Sequence, residues 1–306
     1  FSTQRSIREY DSNSMNPGSS NISETPSARI LRRFRADPIA RIAVMIIILF
    51  ALLAGGTALL SQFGHHWPFD PNLTNLEQKL LPPSPQHWLG TDNLGRDVLS
   101  RMLHGASISL TVGLIAVFVS LAIGMVVGAL AGYFGGITDQ ILMRSVDALL
   151  CFPTFFLMLT AVALLGPSLI NIVVVIGLVS WTGTARLVRG EFLTLRESEY
   201  VKSARVLGQN AWTIITRHIL PNAAAPILVT AVLGIPEAIL SEAGLSFLGF
   251  GVQPPQATWG NIIADGKTYL LDAWWLILFP GLAILIASLS FYLAGDALRE
   301  AAESRG

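Results

Sequence analysis

Residues 148–185 contain no charged side chain. A run of this length constrains the chain more than any other feature in it. A helix crossing about 30 Å of hydrocarbon needs roughly 20 apolar residues, so the run is too long for one crossing. Gly166-Pro167-Ser168 divides it, because proline cannot continue a helix and glycine permits a tight turn. Residues 42–60, 106–133 and 273–295 are likewise free of charge, and residues 221–248 are apolar apart from Glu237 and Glu242. Pro221 suits the first turn of that last segment. The expectation is an all-α integral membrane protein with six transmembrane helices. Composition agrees: 52% of residues are hydrophobic and 13% charged, against about 25% charged in a soluble domain.

The residues outside these spans set the organisation. Residues 1–37 are polar, rich in Ser, Asn and Pro, and basic, and are not expected to fold alone. The first span, 38–61, lies too deep in the chain and is too long for a secretory signal peptide. Residues 62–104 form a long loop. The remaining five spans fill 105–300, and 301–306 form a short tail. If the N-terminal tail is cytoplasmic, sixteen Lys and Arg fall on the cytoplasmic side and four on the other. That asymmetry predicts both termini inside. The lone cysteine, Cys151, excludes an intrachain disulfide and a Cys-based zinc or iron–sulfur site, and reads as a small packing residue.

On this topology the basic stretch Tyr200 to Asn222, "YVKSARVLGQNAWTIITRHILPN", faces the cytoplasm. Val201, Ala204, Leu207, Ala211, Ile214 and Ile215 recur at helical spacing, with Lys202, Arg205 and Gln209 mostly elsewhere on the wheel. Gly208 can end one helix in a left-handed conformation, and Asn210 can cap the next. Two short helices joined at an angle at the membrane surface are expected. They serve either to dock a partner or merely to lie on the membrane.

Within that stretch "SARVLGQNAWTIITRHILP" resembles the EAA motif of ABC importer permeases. Ser203 and Ala204 match its two alanines, Gly208 its glycine, and Leu220 and Pro221 its closing pair. Lys202 stands where the motif has Glu, and His218 where it usually has Ile. "HWLGTDNLGRDVLSRMLHGASISL" (87–110), "GYFGGITDQILMRSVDALLCFP" (132–153), "LSEAGLSFLGFGVQPPQATWG" (240–260) and "FPGLAILIASLSFYLAGDALRE" (279–300) resemble the dipeptide, oligopeptide and nickel branch of the same family. The resemblance covers roughly residues 29–300. It implies the type I ABC importer permease fold in a bacterial inner membrane. It also implies a second homologous permease, two cytoplasmic ATPases and an extracytoplasmic binding protein as partners, with no role for nucleic acid. A coupling helix at about 198–218 would dock on an ATPase through Lys202, Ser203, Ala204, Arg205, Gly208 and Pro221. The small side chains of Ala204 and Gly208 would permit close approach. The cargo implied is a peptide, a nickel chelate, glutathione or a related small solute.

No phosphate-binding loop accompanies these motifs. The nearest approach, Gly266-Lys267-Thr268, would need glycine at position 261, which is Asn261. ATP and Mg would therefore bind partner subunits, and the chain itself would carry no cofactor, no metal and no catalytic residue. Glu237 and Glu242 sit in the fifth span next to Pro236 and are costly in lipid, so each either lines the substrate path or stabilises the extracytoplasmic end of the span. Arg144 and Asp147 are spaced to pair on one helix face. Val98, Leu99, Met102 and Leu103, with Asp97 and Arg101, fit an amphipathic helix on the outer membrane surface. His65, His66 and His87 share that loop with Asp70 but match no metal-ligand spacing. Two other classes would compete: an ion-gradient-driven secondary transporter, for which no internal repeat is visible, and a membrane-embedded enzyme, for which no H-E-x-x-H or paired nucleophile and histidine is present.

Overall fold

The computed structural model describes residues 37–64 and 67–303. The polar tail to residue 36, His65 and His66, and residues 304–306 lie outside the described residues. Nine helices of eight residues or more organise the described chain: α1 (Pro38–Gln62), α2 (Val98–Phe134), α3 (Gly136–Leu150), α4 (Thr154–Leu165), α5 (Leu169–Leu195), α6 (Glu199–Val206), α7 (Leu220–Phe247), α8 (Trp259–Gly266) and α9 (Trp275–Glu303). Among the described residues extended pairing is confined to one isolated bridge, Thr91 with Asp97. Five helical stretches are long and apolar enough to cross a membrane, or six if the bent pair α3–α4 is one span.

Local chemistry fixes the helix ends. The Ile39 amide donates to Asp37 Oδ1 at 2.8 Å, with Pro38 in the first turn of α1. The Ser100 amide donates to Asp97 Oδ1 at 2.8 Å and starts α2. Gly166 turns the chain at φ +88°, and Ser168 accepts from the Asn171 amide to start α5. The break expected at 166–168 is therefore where α4 gives way to α5.

Four expectations are corrected. The third span is not a single helix: α3 and α4 meet at 83° across residues 151–153. Pro153 has no N–H for the carbonyl of Leu149, so the helix is interrupted and re-aimed there. Cys151 sits exposed at this elbow rather than packed. Among the described residues no separate amphipathic helix precedes α2, because Val98 to Phe134 is one continuous helix of 37 residues. Arg144 does not pair with Asp147; Arg186 Nη2 of α5 donates to Asp147 Oδ1 at 2.6 Å instead.

The tightest seam joins α2 to α5. A Cβ on Gly124, Gly128 or Gly132 would stand 2.6 Å from Thr184 Cβ, the Ala185 carbonyl oxygen or Phe192 Cβ respectively. The spacing of four aligns the three glycines on one face, letting the helix axes approach until backbone meets side chain. Around this pair, α7 packs against α2, α5, α8 and α9, and α1 rests on α2 and α9.

The loop from residue 67 to 97 folds back onto the bundle. Trp275 Nε1 of α9 donates to the Thr91 carbonyl at 3.1 Å. Arg96 Nε donates to Asp92 Oδ2 at 2.6 Å, and Arg101 Nη1 of α2 donates to the same oxygen. Asp265 of α8 lies 3.3 Å from Arg101 Nη1 and 3.4 Å from Arg96 Nη2. This buried cluster joins the loop, α2 and α8 at one end of the bundle.

Candidate functional site

The expected docking region stands at the opposite end, between α5 and α7. Helix α6 is short, and Val201 and Ala204 anchor it in an apolar cluster with Val188, Phe192, Ile214, Ile215 and Ile219. Gly208 follows at φ +77°, a backbone conformation that only glycine adopts without strain. Asn210 Oδ1 then accepts from the Thr213 amide at 2.7 Å and restarts the helix. His218 and Gln209 close the bend through a contact of 2.8 Å between Nε2 and Oε1.

The second helix of this region is not short. It winds as a π-turn over Ile214–Ile219 and continues without a break into α7. The Leu220 amide reaches back five residues to the Ile215 carbonyl. Pro221, next in line, has no amide to donate, so the wider turn comes just before the point where the regular ladder loses a donor.

Among the six residues expected to dock, the structure separates two roles. Lys202, Ser203, Arg205 and Gly208 are exposed. Ala204 is 4% exposed and faces its own bundle, so its small size serves internal packing. Gly208 has open space where a Cβ would sit, so the sign of φ, not crowding within this chain, requires glycine. Pro221 is exposed at the start of α7. Lys202 Nζ lies 3.4 Å from Glu197 Oε2. Arg205 sits over the Tyr133 ring at 6.0 Å. Beside them Val206, Leu207 and Trp212 leave 87%, 79% and 69% of their surface exposed. Sequence periodicity put Leu207 on the apolar stripe and did not single out Val206 or Trp212, although apolar residues off that stripe were visible in it.

Helix α3 is bound to this end. Arg189 of α5 holds Asp139 through Nε and Nη2, at 2.5 and 2.6 Å, and Arg186 holds Asp147. Arg196 Nη1 donates to the Gly132 carbonyl at 3.0 Å, tying the end of α5 to the end of α2.

Midway along the bundle a cavity of about 310 Å³ opens between α2, α5 and α7. Its polar lining is Ser120, Ser180, Thr184, Thr230 and Glu237, the last being its one charged residue. Glu242, five residues on, does not reach it. Glu242 is 0% exposed and accepts from Ser246 Oγ at 2.7 Å and Thr258 Oγ1 at 2.9 Å. Thr258 also caps α8, in reciprocal bonds with Asn261. The geometry of Glu242 is that of a tether between α7 and α8.

His87 Nδ1 lies 2.9 Å from Asp97 Oδ2, and among the described residues no group of three His, Cys, Asp or Glu could hold a metal ion. Lys267, from the Gly-Lys-Thr sequence, extends over the Phe247 ring at 5.7 Å.

Residues 124–305 match the family model described as binding-protein-dependent transport system inner membrane component. Residues 25–83 match that of the N-terminal TM domain of oligopeptide transport permease C. A putative peptide transport system permease protein of Brucella abortus is 42% identical over 281 residues, 91% of each chain. The probable D,D-dipeptide transport system permease protein of Escherichia coli is 40% identical, covering 89% of this chain and 90% of its own length. The glutathione transport system permease protein of Pectobacterium atrosepticum is 39% identical over 92% of each. In fold, the chain is similar to an inward-facing form of the MetNI methionine ABC transporter, with TM-score 0.53 and 16% identity over 66% of this chain and 97% of that one. The secondary-transporter and enzyme alternatives draw no support from these likenesses. A family model spanning more than half of the sequence, and relatives about 40% identical over nine-tenths of it, show that the chain belongs to the binding-protein-dependent transport system inner membrane components, the multi-pass and non-catalytic permeases of ABC importers.

Proposed function

We propose that this chain is one of two homologous permease subunits of an importer for peptides or a related small solute such as glutathione. It couples to a cytoplasmic ATPase through α6 and the bend at Gly208. ATP and Mg bind the two ATPase subunits, and an extracytoplasmic binding protein delivers cargo to the loop side of the bundle. The observation that carries this reading is the exposed apolar trio Val206, Leu207 and Trp212 around the bend at Gly208. An exposed apolar group at the end of a rigid two-helix arm fits a protein cleft. Closure of a partner's cleft would move α5 and α7 together, since α6 joins them. The charge asymmetry supports placing both termini inside. Named relatives that carry peptides, D,D-dipeptides and glutathione support the cargo class.

The test is a single cysteine at position 206 in a Cys151→Ser background. With the assembled importer, a short thiol–amine cross-linker is expected to capture the ATPase subunit. Capture of lipid alone, together with normal cargo uptake when residues 206 and 207 are replaced by Glu, would overturn the coupling assignment.

A further inference from the structure

We propose that Glu237 makes the mid-bundle cavity selective for a cargo that presents a primary ammonium group, a role that rests on the reading of this chain as an importer permease. Glu237 is exposed within the bundle, and no ion pair fills its carboxylate among the described residues. Only its backbone carbonyl is engaged, by Ser241 Oγ at 2.7 Å. An ionisable side chain halfway along an apolar helix faces a wet cavity or a bundle interior, because lipid cannot solvate it. The remaining polar groups of the cavity are the hydroxyls of Ser120, Ser180, Thr184 and Thr230. The cavity therefore offers one negative charge ringed by neutral oxygens.

That pattern suits a particular cation. An ammonium group has three donors, one for a carboxylate and the others for hydroxyl oxygens. A divalent metal needs several charged or imidazole ligands converging on it, and no such group occurs among the described residues. A carboxylate-bearing cargo group would be repelled. The contact is weak by construction: a single exposed pair in a hydrated cavity attracts without trapping, as a passage site requires.

The lone cysteine makes the electrostatics measurable. In a Cys151→Ser background, Ser180→Cys places a thiol in the cavity of the assembled importer. A cationic methanethiosulfonate reagent is expected to modify it about fivefold faster, relative to an anionic one, with Glu237 than with Glu237→Gln. Glu237→Asp retains the preference, whereas a merely structural role for Glu237 would leave the ratio unchanged. Uptake of the dipeptide alanyl-alanine is measured in parallel. Gly183 lines the cavity, and a Cβ added to it would meet no atom within 4 Å, so Gly183→Trp fills the space. Blocked uptake with Gly183→Trp, and a severalfold fall with Glu237→Gln that Glu237→Asp reverses, support the proposal. Blocked uptake with Gly183→Trp but equal reagent ratios and equal uptake in wild type and Glu237→Gln overturn the ammonium role alone. Unchanged uptake with Gly183→Trp overturns the cavity as the route and with it the ammonium role, whereas the reading beneath stands or falls separately on the cross-link from position 206.

Discussion

Two glutamates five positions apart on α7 have opposite surroundings. Glu242 is enclosed and receives two hydroxyl donors, so Glu242→Ala strands both hydroxyls in a dry site. It is expected to destabilise the protein by about 2 kcal/mol, seen as a lower thermal midpoint in detergent. Glu237→Gln removes no internal bond and is expected to shift stability by less than about 0.5 kcal/mol. Arg101 is 2% exposed and shares Asp92 with Arg96. Truncating it to Ala leaves buried carboxylate charge undercompensated, at an expected cost of about 3 kcal/mol in the same measurement. The sequence could nominate these residues but not divide them. Composition and hydropathy identify a costly side chain in a span, whereas its partner depends on helix rotation. The same blindness paired Arg144 with Asp147 by spacing, when the guanidinium that reaches Asp147 belongs to Arg186, 39 positions away.

At the scale of elements, capping and turn chemistry were legible because they are local. Asn210 as a cap and Gly208 as a left-handed terminator follow from side-chain length and the absence of a Cβ, and both occupy those roles in the structure. Gly208→Leu places a side chain where φ is +77°, at a cost of about 1–2 kcal/mol. It is expected to abolish uptake while membrane insertion, followed by fractionation and protease protection, is retained. At the elbow between α3 and α4, Pro153 accounts for an interruption of the helix but not for its direction. Its angle depends on Asp139 and Asp147 being held by α5, contacts no local pattern announces. Replacing both aspartates by Ala is expected to raise backbone hydrogen exchange across residues 136–150 at least severalfold, leaving α5 protected. The continuity of α2 was hidden for a different reason. Its first turns carry Arg101 and His104, which look like surface chemistry until the buried cluster around Asp92 is seen to enclose the arginine.

For the molecule as a whole, hydropathy and charge placement captured the all-helical membrane class, and five separated motifs captured the family. What they could not convey is how the helices are joined laterally. Gly124, Gly128 and Gly132 were present in the sequence as a spacing of four, the signal for close helix approach, but apolar periodicity alone does not say which neighbour they meet. The partner is α5, which leads straight into α6. A glycine-to-leucine change at position 128 is expected to separate α2 from α5 and abolish recovery of a folded, monodisperse protein in size-exclusion chromatography. The contact there is between main chain and side-chain stems, with no long flexible groups between the two rods to shear or compress. If a partner pulls on the tip of α6, as proposed, α2 and α5 would turn as one solid axle rather than slide past each other.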